Sequence, residues 1–219
     1  MTNDILYSFR RCPYAIRVRW ALLMCEIKVE IREIDLKNKP LDFLNYSITK
    51  TVPILIKKNN EVLEESLEII LWALSESEKK NKKIIYLPNN KKEDIFKLIN
   101  ENDNEFKFHL DRFKYSTRYN EINVEFHLTK AIKFINRWNS ILGEHKYFFG
   151  DNPTIADWSI WPFVRQFKIA CESQKRSNYL DPPIKSWLES FENDKKFKTL
   201  MYKYELWEPN TTKNYFPSS

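Results

Sequence analysis

Every run patterned for a β-strand lies within the first 63 residues, and from residue 93 onward the apolar residues recur only at helical spacing. Ile5-Leu6-Tyr7-Ser8 is a short apolar run ending in a polar loop, and it reads as a strand. Pro13 follows at a position suited to a helix start. Ile16, Trp20 and Leu23 then fall at helical spacing, with Arg17 and Arg19 on other faces. Val29 to Ile34 alternates as a second strand, and Leu41 to Ser47 reads as a short helix. Ile54-Leu55-Ile56 and Glu61-Val62-Leu63 flank Asn59-Asn60 as in a hairpin. Leu67, Ile70, Leu71 and Leu74 mark an amphipathic helix. The order strand-helix-strand-helix-strand-strand-helix predicts a four-stranded mixed sheet with helices on both faces.

Residues 77–92 are rich in Lys and Asn, include Pro88, and read as a linker. Beyond them, Ile95, Leu98, Ile99, Phe106, Leu110 and Phe113 continue one helical stripe, and Leu128, Ala131, Ile132, Ile135, Trp138 and Leu142 form another. Trp161, Val164 and Lys168 lie along a third helix opened by Thr154-Ile155-Ala156-Asp157, and shorter helices are expected around Ile184 to Phe191 and Phe197 to Tyr204. The 219 residues therefore divide into an α/β domain over 1–76, a linker over 77–92 and an all-helical domain over 93–219. The tail from Asn210 to Ser219 carries no usable pattern.

Several function classes are set aside on composition. Only Gly143 and Gly150 occur, so no glycine-rich phosphate loop exists. The three cysteines, Cys12, Cys25 and Cys171, and the three histidines, His109, His127 and His145, have no zinc-ligand spacing, and no metal is expected. The net charge of +6 comes from lysines scattered among glutamates and asparagines, and the run Lys79-Lys80-Asn81-Lys82-Lys83 reads as solvated linker, so a nucleic-acid partner is not expected. No stretch approaches the ~20 apolar residues of a membrane helix, and the start Met1-Thr2-Asn3-Asp4 lacks a secretory pattern. A cytoplasmic protein without a membrane partner is expected.

The chemistry concentrates at Cys12-Pro13-Tyr14-Ala15, between a strand and a helix. A thiol at a helix N-terminus meets unpaired amides and the positive end of the helix dipole, both of which favour the nucleophilic thiolate. Arg10 and Arg11 add positive potential. The fourth position is Ala15, so an external thiol must complete any redox cycle. Taken alone, Cys12 also fits a small buried core residue; Thr51-Val52-Pro53 before the third strand and Glu64-Glu65-Ser66 before the third helix favour function. Cys25 and Cys171 sit in apolar helical surroundings and read as core. Pro53 invites a cis peptide, which leaves the Val52 backbone at the sheet edge to pair with an extended peptide. Glu65 and Ser66 can hold the amino and carboxylate groups of such a peptide, and Lys39 its other carboxylate. The plain alternatives are a helix cap at Glu65 and Ser66 and a surface lysine at Lys39.

These residues carry a resemblance to the cytosolic glutathione transferases. The stretch Leu6 to Ala15 resembles the cysteine-type members, above all the omega class and related bacterial proteins, and Leu36-Lys37-Asn38-Lys39-Pro40 is also similar to omega-class sequences. Phe149-Gly150-Asp151-Asn152-Pro153-Thr154-Ile155-Ala156-Asp157 resembles the family's buried capping box, in which Thr154 caps the helix and Asp157 reaches back to the cap amide. The resemblance implies an N-terminal thioredoxin-like domain (βαβαββα) followed by the family's all-helical domain, with glutathione as co-substrate and a homodimeric state. By resemblance, Cys12 is the catalytic thiol, Tyr14, Lys39, Val52, Glu65 and Ser66 contact glutathione, and Pro53 is cis. Trp161-Pro162-Phe163-Val164-Arg165 is similar to the omega-class helix whose arginine lines the second-substrate pocket, which points to Arg165. Trp207 occupies a similar place near the C-terminus, with packing of the tail as its plain alternative. Lys50 departs from the pattern, since many relatives have glycine there.

Three functions follow as expectations. The first is glutathione-dependent thiol transfer or reduction through Cys12, acting on a small thiol or disulfide, with dehydroascorbate reduction as a variant. The second is conjugation of glutathione to electrophiles, for which Tyr7 or Ser8 would donate a hydroxyl hydrogen bond. The third is a binding module without enzymatic activity.

Overall fold

The computed structural model describes residues 3–79, 86–119, 123–177 and 179–218. The chain forms two compact units, Met1–Ile84 together with Lys195–Ser219, and Ile85–Asp194.

The first unit runs β1 (Ile5–Ser8), α1 (Pro13–Met24), β2 (Val29–Glu33), α2 (Leu41–Tyr46), β3 (Ile54–Ile56), β4 (Val62–Leu63) and α3 (Ser66–Lys79), in the order read from the sequence. Parallel β1 and β2 pair Ile5 with Glu30 through Ser8 with Glu33, β3 runs antiparallel to β1, and β4 closes the hairpin on β3. Alternation along the strands puts Ile5, Tyr7, Ile54 and Ile56 in one buried cluster with Ile34, Val52 and Phe43 of α2. Leu6 and Leu55 face the other way, and α1 packs against α3. Helix α1 is buried on nearly every side, from Ala15 to Leu23. Arg17 and Arg19, expected on other faces than the core, are buried with it. Of the predicted linker, residues 80–85 lie outside the described residues, and 77–79 continue α3.

The second unit is helical: α4 (Lys92–Glu101), a π-helical turn over Asn102–Phe106, α5 (Lys107–Lys114), α6 (Val124–Glu144), α7 (Ile155–Ser173) and α8 (Pro182–Glu192). The expected stripe from Ile95 to Phe113 runs through the π turn, with Ile95, Ile99, Phe106, Leu110 and Phe113 all buried. Helix α7 is buried along most of its length and continues through Pro162. Its start holds the capping box: Thr154 Oγ1 accepts from the Ala156 N–H, and the Asp157 carboxylate accepts from the Thr154 N–H at 2.7 Å. Asp157 also accepts from the Phe148 N–H at 3.1 Å and from Trp187 Nε1 at 3.0 Å, so it ties the loop before α7 to α8.

The chain then returns to the first unit. Helix α9 (Lys196–Leu200) packs on α1, and β5 (Asn214–Phe216) pairs antiparallel with β2, Phe216 opposite Val29. This corrects two expectations: the sheet has five strands, ordered β4-β3-β1-β2-β5, and residues 195–219 belong with the sheet rather than with the helical domain. Three residues between turn formers give no readable period, and what fixes β5 is a non-local ladder and the burial of Phe216. The helix expected to reach Tyr204 stops at Leu200.

Candidate active site

Cys12 closes a tight turn. Its N–H donates to the Phe9 carbonyl at 3.0 Å, and its own carbonyl accepts from the Ile16 N–H at 2.9 Å, the first bond of α1. Cys12 is thus the N-cap residue of α1, in extended conformation, and its side chain makes no capping bond to the helix. The thiol is half-buried against the cluster around Tyr7 and Phe43, and Sγ lies 3.6 Å from the Val52 carbonyl oxygen. The Val52–Pro53 peptide is cis. Because β3 is an inner strand, Val52 stands at the end of an inner strand, not on the sheet's outer edge as expected.

The loop before Val52 is organised by Glu64, which the sequence reading did not single out. Its carboxylate accepts from the N–H groups of Ile48 and Thr49, both at 2.9 Å, and from the hydroxyls of Thr49 at 2.8 Å and Ser47 at 3.2 Å. Burial pushes the Glu64 carboxyl up, but these bonds outweigh it and hold it below the ordinary range. Lys50 adopts φ +54°, in the region glycine enters without a penalty. Lys39 donates from Nζ to the Lys50 carbonyl at 2.9 Å, which leaves the ammonium further donors.

Ser66 opens α3 and is buried, while the preceding Glu65 is exposed. The Ser66 hydroxyl accepts from Arg17 Nε at 3.1 Å and Nη2 at 2.7 Å. With its acceptor sites filled by the guanidinium, Oγ is left its O–H to donate, which suits an anion. Arg17 also lies 4.8 Å from the centroid of the Tyr14 ring. Cys12, Tyr14, Lys39, Val52, Pro53, Glu65 and Ser66 therefore all belong to the first unit, linked through the Cys12–Val52, Lys39–Lys50 and Arg17–Ser66 contacts.

Trp207 belongs there too. Its N–H donates to the Glu33 carbonyl at 2.7 Å, its ring meets Tyr7 edge-on at 5.8 Å, and Arg32 lies 4.3 Å from the ring centroid. Packing of the tail accounts for all of these contacts. Arg165 lies in the helical unit, where Nε pairs with Glu192 at 3.1 Å beside Lys168.

The two hydroxyls considered as conjugation donors are both fully buried. Tyr7 Oη accepts from Arg32 Nη1 at 2.6 Å, and burial pushes its phenol up more than Arg32 lowers it. Beside the Cys12 turn lies a cavity of about 350 Å³ between Phe9, Arg10 and Arg11 and the segment Lys203 to Leu206. Among the described residues no three His, Cys, Asp or Glu side chains form a metal cage, and no helix is long and apolar enough to cross a membrane.

Known proteins extend this picture. The mouse (Mus musculus) glutathione S-transferase omega-1 is 26% identical over 194 residues, 86% of this chain and 76% of the relative. Among solved structures, glutathione transferase Omega 3C from Trametes versicolor superposes with a TM-score of 0.77 at 17% identity, over 94% of this chain and 92% of that one. A glutathione transferase family member from Pseudomonas fluorescens Pf-5, solved with two glutathione bound, gives 0.76 at 16% identity, over 91% and 92%. The family models for the glutathione S-transferase N-terminal domain and C-terminal domain match residues 6–81 and 108–190. With both domains present in order and together spanning most of its length, the chain belongs to the glutathione S-transferase family.

Proposed function

We propose that the protein is a glutathione-dependent thiol transferase with Cys12 as nucleophile. The observation that carries this reading is the placement of Cys12 as the N-cap of α1, its sulfur facing the Val52 carbonyl and making no cap bond. A thiolate there is stabilised by the first-turn amides, and a peptide carrying sulfur can lie alongside Val52. In this reading the Ser66 hydroxyl and the start of α3 hold the γ-glutamyl carboxylate of glutathione, Glu65 its amino group, and Lys39 the glycine carboxylate. Tyr14 borders the same site, and the resemblance alone assigns Arg165 and Trp207 to binding of the second substrate.

The Cys12 thiolate attacks the glutathione sulfur of a mixed disulfide. The S–S bond breaks, the substrate leaves as a thiolate and takes up a proton, and glutathione stays on Cys12. A second glutathione thiolate attacks that sulfur, giving glutathione disulfide and regenerating the Cys12 thiolate. Ala15 at the fourth motif position supports an external second thiol over an internal one. The burial of Tyr7 and Ser8 weighs against conjugation, since neither hydroxyl is presented to a ligand. The likeness to omega-1 supports the cysteine chemistry. The homodimer and the cytoplasmic location are part of the same proposal. Incubation with glutathione disulfide followed by peptide mass spectrometry tests it: the adduct is expected on the Cys12 peptide, and an adduct on Cys25 or Cys171, or none, rejects it.

A further inference from the structure

The turn that presents Cys12 is held by two buried charged side chains. Arg10, two residues before Cys12, has both of its backbone groups bound. Its N–H donates to Glu33 Oε1 at 2.5 Å, and its carbonyl accepts from Arg19 Nη2 at 2.6 Å. Arg19 comes from α1 and Glu33 from β2, and the two face each other across 3.9 Å. Arg19 has no solvent exposure and Glu33 has 6%. Among the described residues, Arg19 Nε and Nη1 and Glu33 Oε2 make no hydrogen bond.

An incompletely bonded ion pair in a core is poor stabilisation, because desolvation of the two ions offsets their attraction, and apolar side chains of similar volume often serve as well. Its hold on Arg10, two residues ahead of the reactive thiol, gives it another use. We infer that Arg19 and Glu33 are positioning residues for Cys12, a buried clamp that fixes the Phe9–Cys12 turn and sets the potential at the sulfur through the balance of their opposite charges. This rests on Cys12 being the nucleophile.

Burial pushes the Arg19 guanidinium down and the Glu33 carboxyl up, and each is opposed by the charge of the other; a Cys12 thiolate also favours charged Arg19. The other charged or titratable groups around the turn are Arg10 and Arg11 on the turn itself and Lys203, Tyr204 and Glu205 in the tail segment. Tyr204 and Arg10 couple to Arg19, in opposite senses.

The test is the pH dependence of Cys12 alkylation, followed by mass spectrometry of its peptide, in wild type, Arg19→Met, Arg19→Lys and Glu33→Gln. Arg19→Met removes the cation and is expected to raise the midpoint by about half a pH unit or more. Glu33→Gln keeps an acceptor for the Arg10 N–H, removes the anion, and is expected to lower it. Arg19→Lys restores the charge without the guanidinium geometry, and should bring the midpoint back towards wild type. Opposite shifts from the Met and Gln variants are what a purely structural role does not produce. Shifts in the same direction, or an unmoved midpoint with a lower Tm, overturn the clamp. If the opposite shifts appear while no variant, wild type included, transfers thiols, the clamp stands and the proposed function falls.

Discussion

Replacing Glu64 by Gln perturbs the loop that carries Lys50 and Val52 to the Cys12 sulfur. The carboxylate takes the Ile48 N–H on Oε1 and three donors, from Thr49 and Ser47, on Oε2. A glutamine has one acceptor oxygen. Set in the Oε2 position, it keeps three bonds in weaker neutral form and turns its NH2 against the Ile48 N–H, two donors facing each other. A hydrogen bond to a charged group is worth about 1.5–3 kcal/mol and a neutral one about 0.5–1.5. Water reaches this loop, so the summed difference must be discounted, and Glu64→Gln should cost about 1–2 kcal/mol. For a chain of this length that lowers Tm by about 2–8 °C.

The pH dependence gives that loss a signature. The folded Glu64 carboxyl lies below its ordinary range, so its stabilisation is complete above the unfolded value of about 4.3 and is lost as the pH falls through the folded one. Glutamine does not titrate, so the gap in Tm between the two proteins isolates Glu64. Differential scanning fluorimetry should show the full gap at neutral pH and a shrinking gap below about pH 4. A gap that stays constant or widens in acid refutes the reasoning.

Three further outcomes are expected. Asp157→Asn keeps the shape but sets an amide NH2 against donors that the carboxylate now accepts; it should cost about 2–4 kcal/mol, and an unchanged Tm would refute the capping role, while turnover of the still-folded protein should stay near wild type. Lys39→Ala should raise the dissociation constant for glutathione about two- to tenfold and leave the pH profile of Cys12 alkylation where it was; equal affinity removes Lys39 from the site. Tyr7→Phe deletes the buried oxygen that Arg32 binds, so stability should fall by about 1 kcal/mol with any aryl halide conjugation unchanged, and a tenfold loss of conjugation would make Tyr7 the donor after all.

The parts of this molecule that were legible in its sequence are those written in local pattern. A short apolar run marked β1, alternation marked β2, the Asn59-Asn60 turn marked the hairpin, and the family-like stretch from Phe149 to Asp157 marked a cap that the structure contains. Lys50 stood out as a residue where glycine is usual, and it adopts a positive φ. What was missed depends on contacts between distant residues. Strand β5 exists because Phe216 and its neighbours find β2 from the far end of the chain. Arg17 and Arg19 look like solvent-facing charges until α1 is seen to be buried on nearly all sides; the available signal was two arginines in the otherwise apolar run from Pro13 to Met24. Glu64 was read only as part of a motif, and its partners, Ser47 to Thr49, belong to a loop with no period of its own.

The central claim is that Cys12 is the sulfur that exchanges with glutathione. It is tested most directly by the rate of glutathione-dependent reduction of a small glutathione mixed disulfide, measured for wild type and Cys12→Ser alongside conjugation of an aryl halide. Serine keeps the size of the side chain and a hydroxyl at the start of α1, so the fold should persist. The account predicts that thiol transfer vanishes in Cys12→Ser while conjugation persists or rises. Thiol transfer at the wild-type rate in the mutant would contradict it.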